Sequence, residues 1–143
     1  MRNGKWRKLL TRLCYKRNPT GTVFGPLLFV VYINDILKNL SSDRFLFADD
    51  TKIFRTITSR DDSLNLQSDI DALEKWAVIW GMEFNREKCH VLTLGKFENT
   101  KHTQRYQLSG DEIEHVFTEK DLGITIDSEL TFEEHISIKV SLL

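Results

Sequence analysis

Apolar residues are densest over residues 26–39, where Asn34 and Asp35 are the main polar interruptions. Pro26 suits the first position of a helix, because the N–H that proline lacks would have no partner there. A helix that is apolar nearly all round cannot face solvent along its length. The pattern therefore predicts a buried helix over residues 26–39.

Two short segments rich in aromatic and β-branched residues follow, 44–47 and 52–57, and both are predicted to be strands. Asp49 and Asp50 fall between them. Neighbouring residues of a regular strand point to opposite faces, so two adjacent carboxylates can act together only where the backbone turns. The sequence therefore predicts that this pair lies at the turn between two strands.

Residues 61–80 have helical periodicity, and Gly81 ends the pattern. The apolar stripe consists of Leu66, Ile70, Leu73, Ala77 and Trp80. Beyond it, predicted strands cover residues 82–84, 90–94, 106–108, 113–117 and 124–126. Thr131 is predicted to cap a last helix. Together these elements predict an α+β fold, an antiparallel sheet with helices packed on one face.

Charge is uneven along the 143 residues. Seven of the 20 Lys and Arg residues lie in residues 1–17, which hold no acid, so residues 18–143 carry 13 cations against all 21 acids. Their net charge of −8 disfavours tight phosphate binding by that part alone. Residues 1–17 are predicted to be a solvated basic arm, with a transit peptide or a replacement for a lost upstream segment as alternatives.

Cys14 and Cys89 show neither zinc-ligand spacing nor a disulfide pattern, which favours a reduced intracellular setting, the nucleus or the cytoplasm. The longest apolar run, 26–33, is shorter than the roughly 18 residues that a membrane span needs. No membrane partner is therefore expected.

Adjacent aspartates in a turn indicate, by themselves, only turn chemistry. Here Asp49 and Asp50 follow Phe47 and Ala48, and three further motifs accompany them in order: GPLLFVVYIND over residues 25–35, WGMEFNREKC over 80–89 and KDLGITID over 120–127. This series resembles the reverse transcriptases of non-LTR (LINE-type) retrotransposons, among which the Phe-Ala-Asp-Asp form is typical.

The resemblance implies an RNA-directed DNA polymerase, a nucleotidyltransferase whose partners are an RNA template, a DNA primer and dNTPs. In that family two Mg²⁺ ions lower the pKa of the attacking 3′-hydroxyl and neutralise the leaving pyrophosphate. The resemblance further implies that Asp49 ligates the metals, that Asp50 supports it, and that both belong to the polymerase palm.

Three other parts of the chain match family features by resemblance. Residues 18–26 resemble the loop that lines the nucleotide and template pocket, although Thr20 stands where the family has glutamine. The positions that match this loop are Pro19, Gly21 and Gly25. Lys88 would assist near the pyrophosphate as a general acid, with a solvated charge as the alternative. Leu122 and Gly123 would form the primer grip, with an ordinary strand and turn as the alternative.

One family feature is missing, the third carboxylate that an upstream palm strand contributes. Residues 1–34 contain no Asp or Glu. Because Mg²⁺ prefers octahedral oxygen coordination, the aspartate pair alone should bind it weakly. We therefore expect a partial palm without the fingers and the first catalytic strand, inactive as an isolated chain, with an unpaired sheet edge where that strand would lie.

The expected division is a basic arm over residues 1–17, a partial palm over 18–130, and the truncated start of a thumb or connecting helix over 131–143. Three functions stay open. The chain is a polymerase fragment, a non-catalytic RNA- or protein-binding remnant of a retroelement, or a chain whose missing strand and aspartate come from a complementing partner.

Overall fold

The computed structural model describes residues 8–14, 31, 34–35, 37–47, 50–95 and 104–142. Its strands are β1 (Lys8–Cys14), β2 (Asp43–Phe47), β3 (Asp50–Thr56), β4 (His90–Leu94), β5 (Gln107–Leu108), β6 (Asp111–Glu112), β7 (Glu114–Val116), β8 (Thr118–Asp121) and β9 (Ile124–Asp127). Its helical elements are α1 (Arg60–Ile79), a 3₁₀ helix (Arg86–Lys88) and α2 (Glu133–Ser141). The mixed α+β composition agrees with the sequence prediction.

The main sheet has five strands in the order β2-β3-β1-β4-β7. The first four pair antiparallel, whereas β7 runs parallel to β4. The expected antiparallel sheet is therefore mixed at one edge. Two small antiparallel hairpins, β5–β6 and β8–β9, accompany it.

β1 is the central strand, and this overturns two predictions. Its residues pair with β3 from Lys8 to Cys14 and with β4 from Lys8 to Arg12. The solvated arm predicted for residues 1–17 is therefore wrong for 8–14. The unpaired edge expected where the upstream catalytic strand would lie is not found at β3, because β3 pairs with β2 on one side and β1 on the other. A complementing strand would find that place already filled.

The core lies between α1 and one face of the main sheet. Leu66, Ile70 and Leu73 of α1 are fully buried, as are Ile53 of β3 and Val91 of β4. Ile53 and Val91 share a face, since both are register partners of the same β1 residue. Burying this apolar stripe against the sheet supplies the main driving force for the fold.

α1 begins one residue earlier and ends one residue earlier than its periodicity predicts. The Ser59 hydroxyl accepts from the Asp62 N–H and the Asp62 carboxylate accepts from the Ser59 N–H, a reciprocal cap. Hydrogen bonds from Thr58 and Ser59 hold the pKa of Asp62 well below its ordinary value. Trp76, within the helix, is buried, whereas Trp80, predicted to close the stripe, lies one residue beyond the helix end and is 47% exposed.

The remaining helices differ in detail from their predictions. Within the predicted 26–39 helix, the described residues 31, 34, 35 and 37 are helical; Leu37 is buried, but Val31 is 58% exposed. The segment predicted as a strand over 82–84 forms a single bridge. Among the described residues, no helix is long and apolar enough to cross a membrane.

α2 begins after Phe132, and its start depends on Asp127. The Asp127 carboxylate accepts the backbone N–H groups of Glu129, Thr131 and Phe132, as well as the Thr131 hydroxyl. The Thr131 hydroxyl in turn accepts the N–H of Glu133, the first residue of α2, at 3.3 Å, so the predicted capping contact is present although the N-cap position itself belongs to Phe132, with a φ of 58°.

Candidate active site

The β2–β3 hairpin carries the carboxylate on which the sequence argument depends. Phe47 and Asp50 are register partners, so residues 48–49 alone connect the two strands. Asp50 is the first residue of β3 and is half-buried. Ala48 and Asp49 lie outside the described residues. The strands predicted on either side of the aspartate pair are confirmed, and Asp50 stands where the hairpin turns.

The strand next to Asp50 is β1, and the position paired with Asp50 is Cys14. The β1 sequence is Lys-Leu-Leu-Thr-Arg-Leu-Cys. It brings no carboxylate to the hairpin. Within the described residues, no three His, Cys, Asp or Glu side chains come together as a metal site. Carboxylate oxygens are nevertheless ligands that suit Mg²⁺, so the chemistry of the Asp49–Asp50 pair fits this ion.

Aromatic rings cover part of the sheet face that bears Asp50. Phe45 and Phe47 alternate along β2 and are both more than half exposed. The Phe45 ring stacks on that of Phe54, with centroids 5.2 Å apart and planes 29° apart. Exposed aromatic rings on a sheet are surfaces on which nucleic-acid bases can stack.

Leu122 and Gly123 form the tight turn of the β8–β9 hairpin. Asp121 and Ile124 are register partners, and both turn residues have positive φ, 48° for Leu122 and 84° for Gly123. A two-residue hairpin turn with both φ values positive matches the right-handed twist of its strands. A leucine in this conformation is strained, and its side chain is 66% exposed. We call residues 121–124 the 121–124 turn.

The 121–124 turn is attached to the main sheet by an ion pair that the sequence did not predict. Lys52 Nζ of β3 contacts Asp121 Oδ1 of β8. The two side chains are 9% and 22% exposed. A second contact joins His90 Nδ1 of β4 to Glu119 Oε2, 3.1 Å away. The partners are 69 and 29 positions apart in sequence, so no local pattern indicates them.

Lys88 ends the 3₁₀ helix and is exposed. β4 starts at His90, opposite Arg12, whereas Asp50 lies opposite Cys14. Because β4 runs antiparallel to β1, the residues before His90 lie towards the C-terminal end of β1, the end that pairs with Asp50. The topology thus brings Lys88 and Asp50 to the same end of the sheet, on opposite sides of β1.

Cys89 and the pocket loop complete the predicted set. Cys89 is buried and its thiol contacts the Asn85 carbonyl oxygen at 3.2 Å, while His90 opens β4. Cys89 directly precedes β4, which agrees with the strand predicted over residues 90–94. The loop positions predicted to line the nucleotide pocket lie outside the described residues; they are Pro19, Gly21 and Gly25.

Comparison with known proteins places this hairpin in a family context. Residues 2–126 match the family model described as reverse transcriptase (RNA-dependent DNA polymerase). The chain is 33% identical over 130 residues to the RNA-directed DNA polymerase from mobile element jockey of Drosophila melanogaster, and 30% identical over 129 residues to its Drosophila funebris counterpart. Each match covers 83% of this chain and 14% of the relative, so the chain spans about one seventh of those proteins.

Proposed function

Because the chain belongs to the reverse transcriptases of LINE-type, non-LTR retrotransposons, we propose that it is part of the palm of an RNA-directed DNA polymerase and holds the end of an RNA–DNA hybrid. The observation that carries this proposal is Asp50, which opens β3 where the β2–β3 hairpin turns, within the family motif. The relatives named above are RNA-directed DNA polymerases, and the part of this chain that matches the family model, residues 2–126, includes the hairpin.

Each proposed residue has a separate task. Asp49 and Asp50 would hold magnesium, which when bound supplies charge neutralisation for a triphosphate. Phe45 and Phe47 offer rings for base stacking beside them. Lys88, at the same end of the sheet, would neutralise or protonate the pyrophosphate. Leu122 and Gly123 would support the primer 3′ end.

We propose that the isolated chain does not synthesise DNA. Cys14, the register partner of Asp50, cannot replace a carboxylate as a ligand for a hard cation such as Mg²⁺. Two carboxylates at one hairpin leave most positions of an octahedral ion to water. The same observation favours a second function, in which the chain binds RNA or a hybrid without extending the primer.

Primer extension tests the first proposal. A fluorescent DNA primer annealed to an RNA template is incubated with the chain, dNTPs and Mg²⁺, and hybrid binding is measured in parallel by anisotropy. We expect hybrid binding that Mg²⁺ strengthens, loss of the Mg²⁺ effect in Asp49→Asn, and no extended primer. Robust extension that Asp49→Ala abolishes would overturn the inactivity, and a folded chain that binds no hybrid would overturn the nucleic-acid role.

Salt dependence tests the second function. Deleting residues 1–17 would remove the central strand, so the cations before it are substituted instead, in Arg2→Gln, Lys5→Gln and Arg7→Gln. If these cations contact phosphates, each loss should reduce the slope of log affinity against log salt by about 0.7 to 0.9. An unchanged slope would exclude phosphate binding by this segment.

A further inference from the structure

The Lys52–Asp121 ion pair joins the two parts of the chain that the proposed function brings to one primer end. Lys52 follows Asp50 by two residues on β3, so both point to the same face, about 7 Å apart along the strand. Asp121 immediately precedes Leu122 and Gly123. The pair therefore links the strand of the predicted metal ligand to the 121–124 turn.

A second contact fixes the direction of β8 across the sheet. Arg12 of β1 is the register partner of Lys52 on β3 and of His90 on β4. The three residues therefore lie side by side across the sheet. Glu119 and Asp121 are two residues apart on β8 and so share a face. Glu119 contacts His90 and Asp121 contacts Lys52. β8 therefore crosses over β1 and places one acidic residue on each side of that strand. At the base of the hairpin, the Gly95 N–H after β4 also donates to the Ser128 carbonyl oxygen after β9, at 2.9 Å.

The energetics of buried ion pairs argue for placement rather than for stability. Moving two charges out of water costs free energy that their attraction often fails to recover, and an apolar pair of similar size frequently stabilises as well or better. Removing one partner leaves the other charge buried and unpaired, which is strongly unfavourable. What an apolar pair lacks is a directional contact between two defined atoms.

Backbone strain next to Asp121 also indicates that the turn is held in place by its surroundings. Leu122 has a φ of 48°, which a leucine adopts only at a cost, and Gly123 follows with 84°. Strained residues persist where the surrounding structure fixes them. The ion pair on one side and the β8–β9 ladder on the other supply that constraint.

We propose that Lys52 and Asp121 are positioning residues, whose ion pair sets the place of the 121–124 turn relative to Asp50. The inference rests on the proposed function, which gives the turn a primer end to support. Neither residue is assigned contact with the nucleotide or the metal. Their effect on the nucleic acid passes through the turn.

Distance measurements between spin labels test the placement directly. Labels are introduced as non-natural amino acids at Asp43 on β2 and Ile124 beyond the turn, both exposed. The full chain should give one narrow distance distribution. Lys52→Met should broaden it and lower stability to unfolding by urea, whereas Lys52→Arg, which keeps the pair, should retain a narrow distribution.

The apolar double variant separates placement from stability. In Lys52→Met combined with Asp121→Leu, unfolding stability should return to the unsubstituted level or above, because no unpaired charge is buried. The distance distribution should stay broad. A narrow distribution in this variant would overturn the proposal, since packing alone would then place the turn. Arg105→Met, which breaks the exposed pair of Arg105 with Glu112, is the matched control and should change neither quantity.

Photo-crosslinking relates placement to the proposed function. A hybrid with a photoreactive group at the primer 3′ end should crosslink to residues 121–124 in the unlabelled chain, and about tenfold less in the double variant at equal hybrid occupancy. If the unsubstituted chain binds no hybrid, the proposed function fails while the spin-label result stands. If the hybrid binds but the double variant keeps both its distances and its crosslinks, the positioning role fails and the proposed function survives.

Discussion

Cys14 of β1 is the register partner of Asp50 of β3. The predicted metal-binding hairpin therefore has, on the strand beside it, a thiol-bearing residue at the nearest position. A thiol suits soft metals, whereas Mg²⁺ requires oxygen ligands. We therefore expect the residue type at position 14 to influence how strongly the hairpin binds Mg²⁺.

Cys14→Asp should increase the affinity for Mg²⁺ by about tenfold or more, because it adds a carboxylate at the position paired with Asp50. Isothermal titration of the folded variant with MgCl₂ measures the change. Cys14→Asn has the same shape without the charge and should bind as weakly as the unsubstituted chain. Equal affinities of the Asp and Asn variants would contradict this prediction.

Thr11→Pro should destabilise the fold by about 3 kcal/mol or more, because Thr11 lies between β3 and β4 and proline removes a backbone donor from a central strand. Urea unfolding followed by circular dichroism gives the loss. Thr11→Ala keeps the N–H and serves as the control, with a much smaller loss. If the proline variant unfolds at the same urea concentration as the alanine variant, β1 is not the central strand in solution.

Leu122→Asn should stabilise the β8–β9 hairpin by about 1 kcal/mol, because asparagine tolerates positive φ better than leucine does. Gly123→Ala should destabilise it by about as much. A Cβ added at Gly123 meets nothing within 4 Å, so that loss would report backbone strain and not a clash. Urea unfolding measures both, and a loss of stability in Leu122→Asn would show that the leucine side chain matters more than its backbone strain.

Acid should weaken the start of α2 through Asp127. Hydrogen bonds from the backbone N–H of Thr131, then from Phe132, hold the pKa of this carboxyl below its ordinary value of 3.8. A lowered pKa in the folded state means that the ionised group stabilises the fold above about pH 3.8, and that this contribution is lost as the pH falls through the folded pKa.

Asp127→Asn should accordingly lower the melting temperature at neutral pH, and its difference from the unsubstituted chain should shrink as the pH falls. Thermal unfolding across this range measures both. Glu129→Gln, an exposed acid on the same loop whose side chain takes no part in the cap, is the control. A difference that stays constant with pH would assign the effect to shape and not to charge.

Periodic patterns within single segments correctly predicted α1, β2 and β3, because each of these elements is determined largely by its own sequence. The α1 stripe repeats over 20 residues, and the strands around Asp49 and Asp50 alternate or carry β-branched residues, so each is encoded within its own segment. Family motifs then predicted that the hairpin binds metal. Neither source located the contacts between Lys52 and Asp121, because pairs so distant in sequence depend on how the elements pack.

β1 was missed for a different reason. Alternate positions form one set with Leu9, Thr11 and Leu13 and another with Lys8, Leu10, Arg12 and Cys14, so both cations fall in the same set, as they can in a strand. The cluster of cations is equally typical of a solvated arm, and the strand pattern covers only seven residues. A run of basic residues in an acidic chain is consistent with an arm, but period-two spacing within it indicates pairing.

The central place of β1 has a consequence for how the chain acquires its structure. Among the described strands, β1 is the one that links the 43–56 hairpin to β4 and β7. The main sheet is therefore complete only when β1 has been flanked by β3 and β4, which come much later in the sequence. Such pairings across long stretches of sequence fold slowly. During synthesis β1 can pair with β3 once residue 56 has emerged, but its other side stays unpaired until residue 94 has emerged, and in that interval association with other chains competes with folding.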